Sequence, residues 1–320
     1  MQLRKAVFLD FASLHPADLD ISPLHKVMPD WQLCDNTRGD EVAAVLADAE
    51  VAVVNKVVLN ADNLSSAKKL KLICAAATGV NNIDLRAAKK LNIAVCNARG
   101  YATASVVQHV FALLLSLTTR LAEYQQDVYN GDWSRSEFFS LLNYPVRELR
   151  GLSLGIVGYG ELGRAVASVA QAFGMKILIA KRDADDTRAD RLDLHTLLPQ
   201  VDVLSLHCPL TADNRGLIGA REIALMKNDA VLINTARGAL VDEAALLEAL
   251  QQGRIGGAGL DVIEREPPPS DYPLLQQRLP NLIVTPHTAW SSRDARQRVV
   301  HEIALNIDAF MRGQARNQVN

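Results

Sequence analysis

Three ionisable side chains each stand a few residues beyond an apolar, strand-like run: Arg237 after AVLINT (230–235), Glu266 after GAGLDV (257–262) and His287 after LIVTP (282–286). An open α/β sheet offers side chains to ligands at the carboxyl ends of its strands, so these positions could do chemistry. An imidazole titrates near neutral pH and can give a proton to a carbonyl oxygen or take one from a hydroxyl. Glu266 would hydrogen-bond the other ring nitrogen of His287, fixing its tautomer and favouring the protonated ring. The planar fork of Arg237 would grip carboxylate or carbonyl oxygens and orient them. Together they are what reduction of a 2-oxo acid demands. Taken singly, an Arg, Glu or His after a strand is more often structural than catalytic.

A second constellation concerns a nucleotide. Gly158-Tyr159-Gly160-Glu161-Leu162-Gly163 follows the apolar run LSLGIVG (152–158) and opens a helix-like segment. In that context Gly158 would allow a tight turn, Gly160 would let a pyrophosphate approach the backbone, and Gly163 would let helix and strand pack closely. The helix N-terminus adds free N–H groups and a positive dipole end. The alternative is a glycine-rich turn without a ligand. The next strand, MKILIA (175–180), ends at Lys181-Arg182, and Lys181 stands eighteen residues after Gly163. An acid there would suit the ribose hydroxyls of NAD, whereas two cations would pair with a 2′-phosphate, which favours NADP. NAD or dual use stays open, because Asp183 in the run KRDADDTRADR could face the ribose instead.

The elements that must position these residues alternate along the chain. AVFLD near 6–10, VAVVN (51–55), LKLICAA (70–76) and NIAVCN (92–97) read as strands, with helical segments over 40–49, 61–69 and 84–90. Residues 103–130 read as one long helix, with Val106, Val110, Leu113, Leu114 and Leu117 in helical spacing. A connection containing Gly131, Trp133 and Pro145 runs to Gly151. A second strand-helix series then follows, with strands at 152–158, 175–180, 201–207, 230–235, 257–262 and 282–286, and a last helix from about Ser291 to Arg312. The fold class is α/β, with doubly wound parallel sheets.

Composition narrows the rest. The chain has 320 residues, 49% of them hydrophobic and 22% charged, enough for two packed domains. Its 34 basic and 36 acidic residues are interspersed, so no basic face points to nucleic acid. Cys34, Cys74, Cys96 and Cys208 lie far apart, without metal-ligand spacing, and read as reduced thiols. No metal is expected. The N-terminus reads as a strand and not a signal peptide, and the most apolar stretch, near 106–117, is too short and too polar for a membrane span. A cytoplasmic protein is expected.

NTARGALVDEAAL (234–246), GLDVIEREPP (259–268), TPHTAW (285–290), ATGVNNID (77–84), NARGYATASVVQH (97–109), GYGELG and LHCPLTADNRGLIG (206–219) occur in order. On these motifs the chain resembles the D-isomer-specific 2-hydroxyacid dehydrogenase family over nearly its whole length. The resemblance implies two Rossmann-like or flavodoxin-like domains with an active-site cleft between them: a substrate domain from residues 1–98 plus 290–320, and a dinucleotide-binding domain from 99–289. It implies a homodimer acting on a small 2-oxo or 2-hydroxy acid. The family's Arg–Glu–His set falls on Arg237, Glu266 and His287. Thr78, Gly79 and Val80 are implied to offer backbone N–H groups to the substrate carboxylate, with Asn55 and Lys56 nearby. Asp261 is implied near the nicotinamide amide, and further cofactor contacts fall on Thr103, Glu161, Leu162, His207, Pro209, Thr235 and Ala236.

Ala289-Trp290, VVNKVVLN (53–60) and GYATASVVQH look most like the bacterial glycerate dehydrogenase or hydroxypyruvate reductase branch, with Trp290 walling the substrate pocket or packing at an interface. Formate dehydrogenases lack an acid partner for the histidine, which Glu266 supplies here. Phosphite and phosphoglycerate dehydrogenation remain open, since Arg237 would suit either oxyanion. So does a dinucleotide-sensing corepressor role, known among proteins of this fold.

Overall fold

Runs such as VAVV and LICA are buried along their whole length, the signature of strands covered on both faces, and they lie in parallel sheets. A computed structural model describes residues 3–320. Within it the chain forms two compact units: one runs to Ala102 and resumes over Ser291–Asn320, and the other is Thr103–Trp290.

The first unit contains strands β1 (Lys5–Phe8), β2 (Asp30–Leu33), β3 (Val51–Val54), β4 (Leu72–Ala75) and β5 (Ala94–Cys96). They pair in the order β2-β1-β3-β4-β5, all parallel. The sequence DWQL of β2 alternates exposed and half-buried residues, as an edge strand does; it was not among the expected strands because it lacks an apolar run. The helix Arg293–Met311 returns to this unit. Its Arg296 donates to both Asp18 carboxylate oxygens, at 2.7 and 2.8 Å, and Asn306 donates to the Asn97 carbonyl at 2.9 Å. The C-terminal residues then cover the free edge of β5, with Val319 N–H donating to the Val95 carbonyl at 2.9 Å.

In the second unit, β6 (Ser153–Val157), β7 (Lys176–Ile179), β8 (Val203–Leu206), β9 (Val231–Asn234), β10 (Gly257–Leu260) and β11 (Leu282–Val284) pair in the order β11-β10-β9-β8-β6-β7. Beyond β7 a parallel bridge joins Ala180 to Leu192, a third strand reduced to one residue pair. With it included, strand order reverses at β6, and the turn after β6 sits at the switch point where doubly wound folds bind nucleotides.

The long helix expected over 103–130 is two helices, Thr103–Thr119 and Leu121–Tyr129, bent by 60°. Arg120 breaks it by adopting a left-handed conformation at φ 57°. Apolar spacing continues across such a residue, so periodicity alone cannot show the break. The first helix packs close to β10 because Gly259 has no side chain: a Cβ there would lie 2.9 Å from Ile233 and 3.0 Å from Leu113. Among the described residues, no single helix is long and apolar enough to cross a membrane.

Candidate active site

The glycine loop is shaped by close approach. Gly158 has φ 94°, and a Cβ on it would lie 2.5 Å from the Cys208 backbone nitrogen. A Cβ on Gly163 would lie 2.2 Å from the Gly158 carbonyl oxygen, so only glycine lets the helix Glu161–Ala172 seat against β6. At Gly160 the opposite holds: a Cβ would meet nothing within 4 Å, leaving room above the helix N-terminus. No side chain caps that terminus. Beside it, the Thr103 hydroxyl donates to the Glu161 carboxylate, and Leu162 lies in the first helical turn.

A cavity of about 540 Å³ opens from this loop, reaching the ends of β7 and β8. His207 and Pro209 line one side. Four cations, Lys181, Arg182, Arg188 and Arg191, line the other together with Asp183 and Asp193. Each cation already has an anionic neighbour: Lys181 lies 3.3 Å from Asp193, Arg182 2.6 Å from Asp183, and Arg188 is bidentate on Asp186 at 2.6 and 2.7 Å. Those two bonds, with the Arg182 backbone N–H, hold the Asp186 carboxyl far below the usual carboxylate range. Arg191 pairs with Asp190, and its guanidinium carbon sits 4.9 Å from the centre of the Tyr159 ring. The Arg191 side chain is only 6% exposed and its Nε has no partner, which is costly unless a ligand supplies one. Arg188, Arg191 and Tyr159 were not singled out in the sequence, where the two arginines were lost among alternating charges.

Two further buried atoms are unpartnered. Thr235 Oγ1 follows β9, next to Ala236, whose N–H is taken by the Asn234 side chain at 3.0 Å. His207 Nδ1 follows β8, while its Nε2 lies 2.8 Å from the Ser205 hydroxyl. Burial pushes His207 down to about 4, so it is neutral at ordinary pH. An open Gly160, a cavity of nucleotide size and these orphaned polar atoms fit a dinucleotide laid across the strand ends.

Arg237, Glu266 and His287 follow β9, β10 and β11, three neighbouring parallel strands, so they leave the sheet at the same end and in a row. His287 Nδ1 lies 2.6 Å from Glu266 Oε2, and Glu266 Oε1 accepts the Ile263 N–H at 3.0 Å. Both side chains remain partly open to solvent, at 27% and 31% exposure, as proton exchange with a ligand requires. Arg237 is steadied at its base, its Nη1 donating to the Ala236 carbonyl at 2.7 Å and its own carbonyl accepting from Asn234 at 2.8 Å.

His287 has φ 54°, a left-handed conformation that costs a non-glycine residue about 1–2 kcal/mol. Its surroundings offset that cost. The His287 N–H donates to the carbonyls of Asp261 and Thr285, both at 2.9 Å. The Asp261 carboxylate, 1% exposed, accepts from Thr285 Oγ1 at 2.6 Å and from the N–H groups of Thr288 and Ala289 at 2.8 Å each. Against the burial that opposes ionisation, these donors and His109 hold its carboxyl below the usual range. Trp290 closes the same segment.

In the first unit, Asn55 and Lys56 follow β3, and their N–H groups donate to the buried Asp10 carboxylate. Thr78, Gly79 and Val80 form the turn after β4, anchored by Thr78 Oγ1 donating to the Ala98 carbonyl at 2.9 Å and by Asn97 donating to the Thr78 carbonyl at 2.7 Å.

A doubly wound nucleotide unit with an imidazole–carboxylate pair beside an arginine defines a nicotinamide-dependent dehydrogenase. Residues 111–289 match the family model for the D-isomer specific 2-hydroxyacid dehydrogenase NAD binding domain. The chain is 43% identical over 317 residues to the glycerate dehydrogenase of Methylorubrum extorquens, covering 99% of each. It is 35% identical to the hydroxypyruvate reductase of Blautia hydrogenotrophica, again covering 99% of each. Among solved structures, the acyclic imino acid reductase Bsp5 in complex with NADPH and D-Arg superposes with a TM-score of 0.88 at 28% identity, over 99% of this chain and all of that one. The chain belongs to the D-isomer-specific 2-hydroxyacid dehydrogenase family. It is an NAD(P)-dependent oxidoreductase of the D-2-hydroxyacid dehydrogenase type.

Proposed function

We propose that this dehydrogenase reduces a small 2-oxo acid, hydroxypyruvate or glyoxylate, and takes NADPH in preference to NADH. The observation that carries the chemistry is the 2.6 Å contact between His287 and Glu266, one strand away from Arg237. The nicotinamide supplies the hydride when bound. His287 gives its Nε2 proton to the carbonyl oxygen as charge develops there, and Glu266 on Nδ1 keeps the ring in the tautomer that can do so. Arg237 holds the oxygens of the 2-oxo acid and lowers the entropy cost of alignment. In oxidation the same imidazole takes the hydroxyl proton.

The first unit takes the substrate role, with Thr78, Gly79 and Val80 offering N–H groups to the carboxylate beside Asn55 and Lys56; Trp290 shapes the pocket. Coenzyme contacts fall on Gly158, Gly160, Gly163, Glu161, Leu162, Thr103, His207, Pro209, Thr235 and Ala236. For coenzyme choice, the supporting feature is the cluster Lys181, Arg182, Arg188 and Arg191 around one end of the cavity. A 2′-phosphate there would satisfy Arg191 Nε and compete with Asp183 and Asp193 for the cations.

A homodimer is supported by apolar side chains left open on the second unit: Phe138 is 75% exposed, Phe139 93% and Leu142 88%, which a second copy would cover. A cytoplasmic setting is supported by Cys74 and Cys96, register partners on adjacent strands that remain thiols.

Initial rates with NADPH and NADH at matched concentration, against hydroxypyruvate, glyoxylate and pyruvate, test the reading. Fast NADPH oxidation with either of the first two supports it. No turnover with any pair sends the function to phosphite or phosphoglycerate oxidation, or to a dinucleotide-sensing role.

A further inference from the structure

Behind His287 lies a polar cluster that the chemistry above does not use. His109, on the helix Thr103–Thr119, places its Nε2 2.9 Å from Thr285 Oγ1 and 3.3 Å from Asp261 Oδ1. The direction of each bond follows from the donors available. Asp261 is ionised and can only accept, so at 2.6 Å the Thr285 hydroxyl must spend its hydrogen on Asp261 Oδ1. The Thr285 oxygen then faces His109 with a lone pair, as Asp261 does. His109 must therefore carry its proton on Nε2, shared between the two.

That proton closes a chain. Asp261 accepts from Thr285, Thr288 and Ala289, the residues on both sides of His287, and its carbonyl accepts the His287 N–H. Ser105, one turn earlier on the same helix, donates to the Ala289 carbonyl at 2.6 Å. The backbone from 285 to 289 is thus pinned to a single buried carboxylate, and the only imidazole facing that carboxylate among the described residues is His109. His287 is held in its left-handed conformation by these bonds, and a ring on a left-handed residue changes direction if the backbone relaxes.

We propose that His109 is a positioning residue for the reaction: its Nε2–H locks Thr285 and Asp261, and through them keeps the His287 ring aimed at the substrate carbonyl. This rests on the reading of His287 as the proton donor.

The test uses the full-length enzyme with H109L, H109Q, T285V and H287A, measuring kcat and KM for the best 2-oxo acid, and NADPH affinity by fluorescence. H109L removes the donor, and misaligned proton transfer is expected to lower kcat by about 10- to 100-fold while NADPH affinity stays near wild type. H109Q returns an N–H near the Nε2 position and is expected to restore kcat to within about fivefold of wild type. T285V removes the bridging hydroxyl with little change of shape, and the same loss of kcat is expected even should H109L fail to fold. A wild-type kcat in H109L or T285V overturns the proposal, as does H109Q no better than H109L, which would mean that ring shape and not the proton matters. H287A separates the two readings. Full activity in H287A removes His287 from proton transfer, whereas an inactive H287A beside a fully active H109L overturns only the role of His109.

Discussion

A Cβ added to Gly238 would lie 1.9 Å from the carbonyl carbon of Ile263. The turn that carries Arg237 is pressed against the loop that carries Glu266, and the absence of a side chain at position 238 makes the approach possible. Gly238→Ala must push the two loops apart. Overpacking of this kind costs about 1–3 kcal/mol. A lower Tm is expected together with a fall in kcat/KM, and an unchanged Tm would show that the loops separate freely.

The proton pair makes a prediction about the tautomer. The Glu266 carboxylate 2.6 Å from His287 Nδ1 can only accept, so it holds a proton on that nitrogen and leaves Nε2 to the substrate. Glu266→Gln keeps the size but lets an amide N–H face Nδ1 instead, so kcat for 2-oxo acid reduction is expected to fall by about tenfold or more. A kcat equal to wild type would remove Glu266 from this role.

Removing Arg237 tests substrate orientation. Arg237→Ala is expected to lower kcat/KM by about 100-fold or more, and Arg237→Lys to recover only part of it, because a point charge does not reproduce a planar fork. Equal activity in the lysine variant would mean that only the charge matters.

Coenzyme preference should follow the cations. Lys181→Asp with Arg182→Ala is expected to shift the NADPH-to-NADH ratio of kcat/KM by about tenfold or more toward NADH, the worth of one or two charge-assisted bonds. Arg191→Ala, which vacates the buried guanidinium, should shift it in the same direction. A ratio unmoved by both changes would place 2′-phosphate recognition elsewhere.

Stability at low pH should carry the mark of His207. Its folded value of about 4 lies below the usual 6.5, so the unfolded chain binds the extra proton first. The penalty is absent above pH 6.5 and grows as pH falls to about 4, reaching a few kcal/mol. In denaturant titrations, His207→Gln should flatten that part of the stability curve. A slope equal to wild type would mean that the ring is not desolvated.

Much of the molecule was legible in the residues because local chemistry and period decided it. GYGELG after an apolar strand specified a tight strand-to-helix turn, since only glycine tolerates φ 94° at Gly158 and the 2.2 Å approach at Gly163. Arg237, Glu266 and His287 stood out because each follows a run of strand-forming residues, and parallel strands end on the same side of a sheet. The edge strand β2 and the break at Arg120 were not legible: DWQL has no apolar run, and a single left-handed residue leaves helical spacing intact on both sides.

Other features depend on which atoms meet in space. Within KRDADDTRADR the residue types do not tell which arginine turns inward; Arg191 lies against the Tyr159 ring, while Asp186 holds Arg188. The family resemblance implied a place for Asp261 near the nicotinamide but not its partners, and the fold surrounds its carboxylate with Thr285, Thr288, Ala289 and His109, the last of them 152 positions away. Side-chain type and short-range spacing are encoded locally, so the sequence determined the glycine turn, the strand ends and the kinds of group available for proton transfer. Hydrogen-bond direction and the conformation of His287 depend on partners brought together only when the sheet closes, and tertiary structure alone decided those.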